Sequence, residues 1–379
     1  MRLRQVGRIA EVPAPAWDAL FPPDYPFTRH AFLSALERNR CVGDDSGWDP
    51  CHLLAENAAG ELVGAVPLYL KQHSYGEFVF DFGWAEASHR IGQRYYPKLL
   101  CAIPFTPSTG PRLGARDETV RANLAQHLAS LGQGAGAPSL HCLFTNPTDQ
   151  ASLRQEGLLE RQDVQFHWLN RGYGSFGEFL ERLVSDKRKK IRQERRRVAE
   201  AGIRFEWRRG DELRESEWEQ VYALYSNTYE ERGQAPYLSL PFLLDYGGSA
   251  GTPMRFALAY DGPRLVAMAM TLRGGDTLYG RHWGTSGRYH ALHFEACYYQ
   301  GIDYCIQEGL RRYDAGTQGE HKLARGFLPV LTRSAHVLAD ERLHKAVAAH
   351  LQRETSFVVL RHAELMRHVP YREDAHGNG

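Results

Sequence analysis

Two stretches of the chain, about two hundred residues apart, carry the same order of polar turns and apolar runs. In the first, Gly60-Glu61-Leu62-Val63-Gly64-Ala65 closes a turn and opens the run Val66-Pro67-Leu68-Tyr69-Leu70. In the second, Gly262-Pro263-Arg264-Leu265-Val266-Ala267 leads in the same way into Met268-Ala269-Met270-Thr271-Leu272. A glycine turn followed by a short apolar run predicts a strand entered from a hairpin. Each stretch continues into a second strand-like run ending in aromatics, Tyr75 to Trp84 and Leu278 to Trp283. A helical segment with a Tyr-Tyr pair follows, Tyr95-Tyr96 and Tyr298-Tyr299. Val63 and Val266, like Tyr95 and Tyr298, stand 203 residues apart. A shared offset at two separated landmarks predicts a duplicated unit.

The boundary between the copies falls after Phe166-His167-Trp168-Leu169, which reads as a closing strand. Ser175 with Glu178 three residues later forms a capping box that opens a helix through Val184. Ser185 and Asp186 cap a second helix running to about Ala199 and ended by Gly202. The predicted domains are 1–170 and 171–379, with a basic helix at 186–200 in the second. The order within each copy is helices, antiparallel strands, then a helix and a further strand, an α+β arrangement. Arg372 to Gly379 reads as a frayed tail.

The length, 379 residues, suits two such domains. No stretch approaches 18 uninterrupted apolar residues, and Met1 to Val12 lacks the apolar core of a signal peptide. The six cysteines are scattered without a Cys-x-x-Cys pair, which argues against a zinc knuckle or a disulfide framework. These features predict a cytoplasmic protein. Net charge is +1, but the average conceals a block. Lys187 to Arg197 holds eight bases against one acid, Glu194. A solvated helix face normally intersperses acids for i,i+4 pairing. The alternative is a phosphate-binding surface, with Lys187 and Lys190 among its contacts.

Two further segments carry candidate chemistry. Arg281-His282-Trp283-Gly284-Thr285-Ser286-Gly287 reads as a strand passing through a Gly/Ser/Thr turn toward a helix, so amides at Gly284, Ser286 and Gly287 can hold a phosphate or an oxyanion. At about 100° per residue, a helix over His293 to Ile306 buries Phe294, Tyr298, Ile302 and Cys305. His293 then falls away from that face, among Gln300 and Asp303, and Glu295 sits half-buried at its edge. A half-buried carboxylate is a general-base candidate, or else the structural partner of an arginine. His290 and His293 have no third ligand in register, so no metal site is predicted. The other segment follows Tyr313-Asp314-Ala315-Gly316, a strand end, and packs Glu320, His321, Lys322 and Arg325 between Gly319 and Gly326. Such a loop makes a poor core and a good site. In the first copy, Gly92 stands where Glu295 is expected. The loop from Pro104 to Arg112 offers Thr106 and Arg112 as substrate contacts but no base. Nucleophile-elbow, Walker, Rossmann and zinc motifs are absent.

Several of these segments together resemble the FemAB-like group of bacterial N-acyltransferases. They are Tyr95-Tyr96-Pro97-Lys98-Leu99-Leu100, Pro104-Phe105-Thr106-Pro107, Gln165-Phe166-His167-Trp168, Tyr279-Gly280-Arg281, Leu292-His293-Phe294-Glu295 and Gly319-Glu320-His321-Lys322 with Ala324-Arg325-Gly326-Phe327. More distantly the chain is similar to the peptidoglycan-bridge FemX/FemAB ligases, which carry an amino acid from charged tRNA to a cell-wall precursor. The resemblance implies two tandem GNAT-like domains, each a mixed, mostly antiparallel sheet flanked by helices. Asp314 to Phe327 corresponds to the Fem pattern Asp-Phe-Gly-Gly followed by a Phe-Lys pair, with Ala315 in place of Phe. Arg281-His282-Trp283-Gly284 begins like a coenzyme A signature but sits on the strand. The implied activity moves an acyl or aminoacyl group to an amine, of a small molecule or a cell-wall precursor. The donor is acyl-CoA or aminoacyl-tRNA, and no cofactor is bound tightly. Glu295, Glu320 or His321 would serve as base, and Tyr298 or Tyr299 would return a proton to the leaving group. Lys322 or Arg325 would join the amides of the Gly284 to Gly287 turn at the oxyanion, and Arg281 and Trp283 would contact substrate. Two alternatives stand beside this: a coenzyme-dependent transferase acting on a small amine, and a non-catalytic binder of RNA or cell-wall precursor.

Overall fold

The computed structural model describes residues 1–134, 136–317 and 319–372. Of the tail expected to fray, Arg372 donates its amide to Arg182 O, and the remainder lies outside the described residues. The chain divides into two compact units, Met1–Val164 with Leu331–Arg361, and Gln165–Val330 with the segment from His362 on. The division is discontinuous in sequence.

In the first unit a four-stranded antiparallel sheet takes the order Arg2–Val6, His52–Glu56, Leu62–Val66, Gly114–Ala115. Gly60, at φ +79°, turns the chain into the third of these strands, a conformation that costs glycine little. Further strands follow the order 334–338, Ser139–Leu143, Lys98–Cys101, Leu68–Lys71, Trp48–Pro50, and only the second and third of these run parallel. The helix Glu118–Gln133 starts at Asp117, whose carboxylate accepts from Val120 N at 2.9 Å. Leu124 and Leu128, one helical turn apart, are buried in one core with Leu53, Leu68 and Leu140. Each such leucine contributes roughly 1.5–3 kcal/mol by leaving water.

In the second unit the strand order is Ile203–Arg209, Met254–Asp261, Arg264–Gly274, Thr277–Thr285, Arg312–Asp314 and the end of Leu159–Leu169. Every pair is antiparallel except Thr277–Thr285 with Arg312–Asp314. A parallel pair needs a crossover, and residues 292–307 supply a helical one, built from Leu292–Phe294, Glu295–Tyr299 and Gln300–Gln307.

The proposed repeat holds at its first landmark only. Gly262 turns into Arg264–Gly274 as Gly60 turns into Leu62–Val66. The run Tyr75 to Trp84, expected as a strand, is instead a loop leading into the helix Phe82–Arg90. Tyr95-Tyr96, expected on a helix, lies in the loop before the strand Lys98–Cys101. Pro97 explains this, since proline cannot sit inside a helix and keeps the residue before it extended. Gly92 is therefore no counterpart of Glu295. At the Ser175 cap, Ser175 Oγ accepts from Glu178 N at 3.1 Å, while the Glu178 carboxylate takes Gly174 N rather than that of Ser175. That helix, Phe176–Glu181, stops short of Val184. The basic helix is Ser185–Glu200, with Val184 at its cap position and no capping side chain. Val184 N donates instead to Pro370 O.

Candidate active site

Only Thr277, Leu278 and Tyr279 pair with the parallel strand Arg312–Asp314. Beyond Tyr279 the two strands part, and a cavity of about 150 Å³ opens between them. Arg281, His282 and Trp283 line it from one strand, Ala315 and Thr317 from the chain leaving the other, and His293, Cys297 and Tyr298 from the crossover helix. Across the Arg264–Gly274 hairpin, Met270 pairs with His282 and Thr271 with Gly280, which leaves Arg281 as the extra residue of a bulge. A bulge re-aims side chains where ladder pairing would fix them.

The crossover helix contains a π-helical turn at Glu295–Tyr299. In such a turn, residues five apart come together, instead of three or four. His293 and Tyr298 accordingly meet edge to face, with ring centroids 5.5 Å apart, and Gln300 Nε2 donates to Glu295 Oε1 at 2.8 Å. This corrects the expectation drawn from regular helical geometry. His293 faces the cavity beside Trp283 and Tyr298, and Glu295 is buried on the opposite side, 4% exposed.

Tyr298 is buried, and its hydroxyl hydrogen-bonds to His321 Nε2 at 2.7 Å. His321 belongs to the tight turn Glu320–Arg325, bracketed by Gly319 at φ +103° and Gly326 at φ +87°. A Cβ on Gly319 would stand 2.2 Å from the His321 ring, so only glycine lets the imidazole fold back toward Tyr298. Burial, together with the charges of Arg325 and Lys322, holds His321 below the ordinary imidazole value. Burial, helped by His321, Lys322 and Arg325, brings His293 down to about 4, and burial brings His282 to about 3. All three imidazoles are therefore neutral at pH 7, and burial raises the Tyr298 hydroxyl. The site holds neutral groups able to accept, donate and relay a proton.

The two cations of this loop are spent on structure. Lys322 Nζ donates to the carbonyls of Ala315, Gly316 and Thr317 at 3.0, 2.8 and 3.2 Å, which uses all three of its hydrogens. Burial lowers it to about 8. Arg325 lies over the Phe294 ring, 3.5 Å from its centroid, and donates to Tyr299 Oη, His321 O and Glu194. Glu194, the one acid of the basic block, is buried and also accepts from the Tyr299 hydroxyl. The exception in the charge run is thus what anchors the site loop.

The remaining sequence candidates lie elsewhere. Glu295 Oε1 pairs with Arg195 Nε at 3.2 Å, the structural alternative for that carboxylate. Glu320 is exposed. Gly284 lies within the strand Thr277–Thr285, and its missing Cβ would collide with Leu224 O of the helix Glu215–Glu230. Ser286 N donates to Val266 O, and the helix starts only at Leu292. The expected helix-start phosphate loop at Gly284, Ser286 and Gly287 is therefore absent, because this segment finishes a β ladder. Thr106 and Arg112 are buried in the first unit, where Thr106 Oγ1 donates to Pro104 O and Arg112 to Leu143 O and Ser108 O. Lys190 is exposed on the basic helix, and Lys187 pairs with Asp186. Sequence reasoning missed Glu194, His282, Cys297 and Thr317. For Glu194 the signal was available, as the sole acid one turn after the buried Ile191. Among the described residues no group of three or more His, Cys, Asp or Glu is placed to hold a metal ion, and no helix is long and apolar enough to cross a membrane.

No curated protein matches the sequence. Solved structures share the fold at low identity. FemX is 12% identical, with a TM-score of 0.53 over 92% of this chain and 100% of its own. The C-terminal domain of a putative lysylphosphatidylglycerol synthetase from Agrobacterium fabrum is 10% identical, with a TM-score of 0.53 over 90% and 95%. A conserved protein of unknown function from Bacteroides thetaiotaomicron is 11% identical, with a TM-score of 0.52 over 89% and 100%. The architecture is an α+β fold in two units, and FemX shares it. The FemAB-like family, described as peptidoglycan biosynthesis/recognition, matches residues 8–373, and this chain belongs to that family.

Proposed function

We propose that the chain is an acyltransferase that moves an aminoacyl or acyl group from an activated donor to the amine of a peptidoglycan-related acceptor, in the cavity beyond Tyr279. The observation that carries this reading is the 2.7 Å contact between Tyr298 Oη and His321 Nε2 at the cavity wall. The acceptor amine attacks the donor carbonyl, so a C–N bond forms while the C–O or C–S bond to the carrier breaks. The nitrogen loses its proton to Tyr298 Oη as Tyr298 passes its own to His321 Nε2. The departing oxygen or sulfur takes that proton back along the same path, which leaves the relay as it began. Arg281, re-aimed by the bulge, supplies positive charge at the cavity.

The donor this reading favours is charged tRNA. Lys189, Lys190, Arg192 and Arg196 are exposed on the basic helix, an extended cationic face suited to a polyanion. The Gly284 to Gly287 segment, by contrast, forms no helix-start cradle for a coenzyme pyrophosphate. A charged-tRNA donor places the reaction in the cytoplasm.

The test is transfer of a labelled amino acid from charged tRNA to a muramyl-peptide acceptor by wild type, Tyr298→Phe and His321→Ala. Losses of about 10²–10⁴-fold with unchanged thermal unfolding are expected. The acid limb of the wild-type rate should lie below the ordinary imidazole value of about 6.5, because a base held low stays neutral to lower pH. Full activity in both variants overturns the relay. Transfer from acyl-CoA alone overturns the donor assignment.

A further inference from the structure

The wall of the transfer cavity holds one imidazole that the Tyr298–His321 relay leaves unused. The rings of His293, Tyr298 and His321 stand at the corners of a triangle. Their centroids are 5.5 Å apart for His293 and Tyr298, 5.6 Å for Tyr298 and His321, and 6.4 Å for His293 and His321. The Tyr298 hydroxyl reaches His321 Nε2 at 2.7 Å and so lies along the side of the triangle that joins those two rings. His293 occupies the opposite corner. A carbonyl held against the Tyr298 hydroxyl therefore comes within reach of the His293 ring.

Both ring nitrogens of His293 are unspent. The side chain is half-buried in the cavity wall and is fixed by ring contacts, edge to face with Trp283 at 5.4 Å and against Phe294 at 5.6 Å. Among the described residues neither nitrogen has a hydrogen-bond partner, and neither is sealed from solvent. The two neighbouring imidazoles differ in this respect. His321 Nε2 is engaged by Tyr298, and His282 Nδ1 lies 3.4 Å from the Tyr229 hydroxyl. Polar groups removed from bulk water are ordinarily paired. A ring packed in place with both nitrogens open is set for a bound molecule.

Its surroundings decide what it offers. A neutral imidazole carries one N–H donor and one acceptor. Burial, with His321, Lys322 and Arg325, brings His293 down to about 4. At pH 7 it would not keep a proton taken from an ammonium, and its second nitrogen has no partner to pass that proton on. A donor needs only the N–H, and a preorganised donor stabilises charge as it develops. We propose, on the transferase reading above, that His293 is a further catalytic residue, donating its ring N–H to the oxygen of the carbonyl under attack. As the amine nitrogen bonds to the carbonyl carbon, the π electrons move onto that oxygen and the N–H···O contact tightens. They return as the C–O or C–S bond to the carrier breaks. His293 keeps its proton throughout, while Tyr298 and His321 move the proton of the amine.

The test compares wild type, Tyr298→Phe, His293→Phe, His293→Asn and His293→Gln in transfer to a muramyl-peptide acceptor, with charged tRNA and acyl-CoA as alternative donors. His293→Phe keeps the ring packing and removes both nitrogens. It should lower kcat about 10²–10³-fold with the acceptor KM unchanged. Asn or Gln places an amide nitrogen near one ring nitrogen or the other, and one of them should restore most of the loss. The acid limb of the rate should stay where wild type has it, because the relay still carries the proton. Transfer lost in Tyr298→Phe but kept in His293→Phe overturns the role of His293 alone. So does a loss confined to KM, or a displaced acid limb with no rescue by Asn or Gln, which would make His293 a base. Wild type that transfers from neither donor overturns the transferase reading, and this role with it. If His293→Phe does not fold, His293→Leu against His293→Gln decides by the same comparison.

Discussion

The two units bury ionisable side chains to opposite ends. In the first, Lys98 Nζ donates to Ser74 Oγ and Glu77 at 2.8 Å each and to Asp81, and the side chains of Lys98, Glu77 and Asp81 are 0%, 1% and 4% exposed. Tyr95 adds its hydroxyl to Asp81, and His141 meets His336 Nδ1 to Nδ1 at 2.8 Å alongside. Burial pushes Glu77 up to about 7 against the pull of Lys98. Burial also pushes Asp81 up, but Lys98 and His141 outweigh it and bring that carboxyl to about 2. In the second unit, Tyr298 is buried, His293 and His282 are half-buried, and all three line a cavity. Sealed from solvent, the first network fixes a core, even with Glu77 Oε1 and Asp81 Oδ1 left without donors; opened onto a cavity, one side of such a network is left for a substrate.

The largest effect that could break this contrast is on transfer. Loss of His321 should cost about 10²–10⁴-fold in rate and leave urea unfolding within about 0.5 kcal/mol of wild type. A comparable loss of stability would make the second network structural as well. Next is Lys98→Met, which strands two buried carboxylates and should cost about 3–5 kcal/mol, read by urea denaturation. A cost under 1 kcal/mol would mean the first network is not a fold anchor.

Glu194→Gln probes a group that is both. It weakens the buried hold on Arg325 and Tyr299 and should cost about 1–3 kcal/mol. It should also slow transfer, because Arg325 holds the His321 carbonyl at 2.7 Å. The smallest effect is in pH. Glu77 is held above the ordinary glutamate value of 4.5, so the folded state binds its proton more tightly than the unfolded state. Its contribution is fully present below pH 4.5 and is lost as pH rises through about 7. Stability should therefore decline across that window, and Glu77→Gln should flatten it. A decline that survives the substitution assigns the effect to another group.

Legibility differed between the units for a physical reason. Turns that need a left-handed residue announce themselves, as Gly60, Gly262, Gly319 and Gly326 did. The turn holding His321, with Tyr298 on the adjoining helix, was readable because charged residues packed between glycines have no core to join. Glu194 was counted only as the one acid of the basic run, and its burial went unseen because burial of one position depends on what packs against it. The Lys98 network went unseen because its members, Ser74, Glu77, Asp81, Lys98 and His141, are scattered and carry no shared spacing.

By itself the sequence determined the α+β class, the turn into the second unit's hairpin, the basic helix and the loop that carries His321, all of them local consequences of backbone preference and charge. Only the tertiary structure decided which of these groups face one another. It placed a π-helical turn at Glu295–Tyr299, rotating His293 into the cavity and Glu295 away from it. It also parted the parallel strands after Tyr279 to make room for a site. Such choices follow from packing against distant segments, which no short window of residues contains.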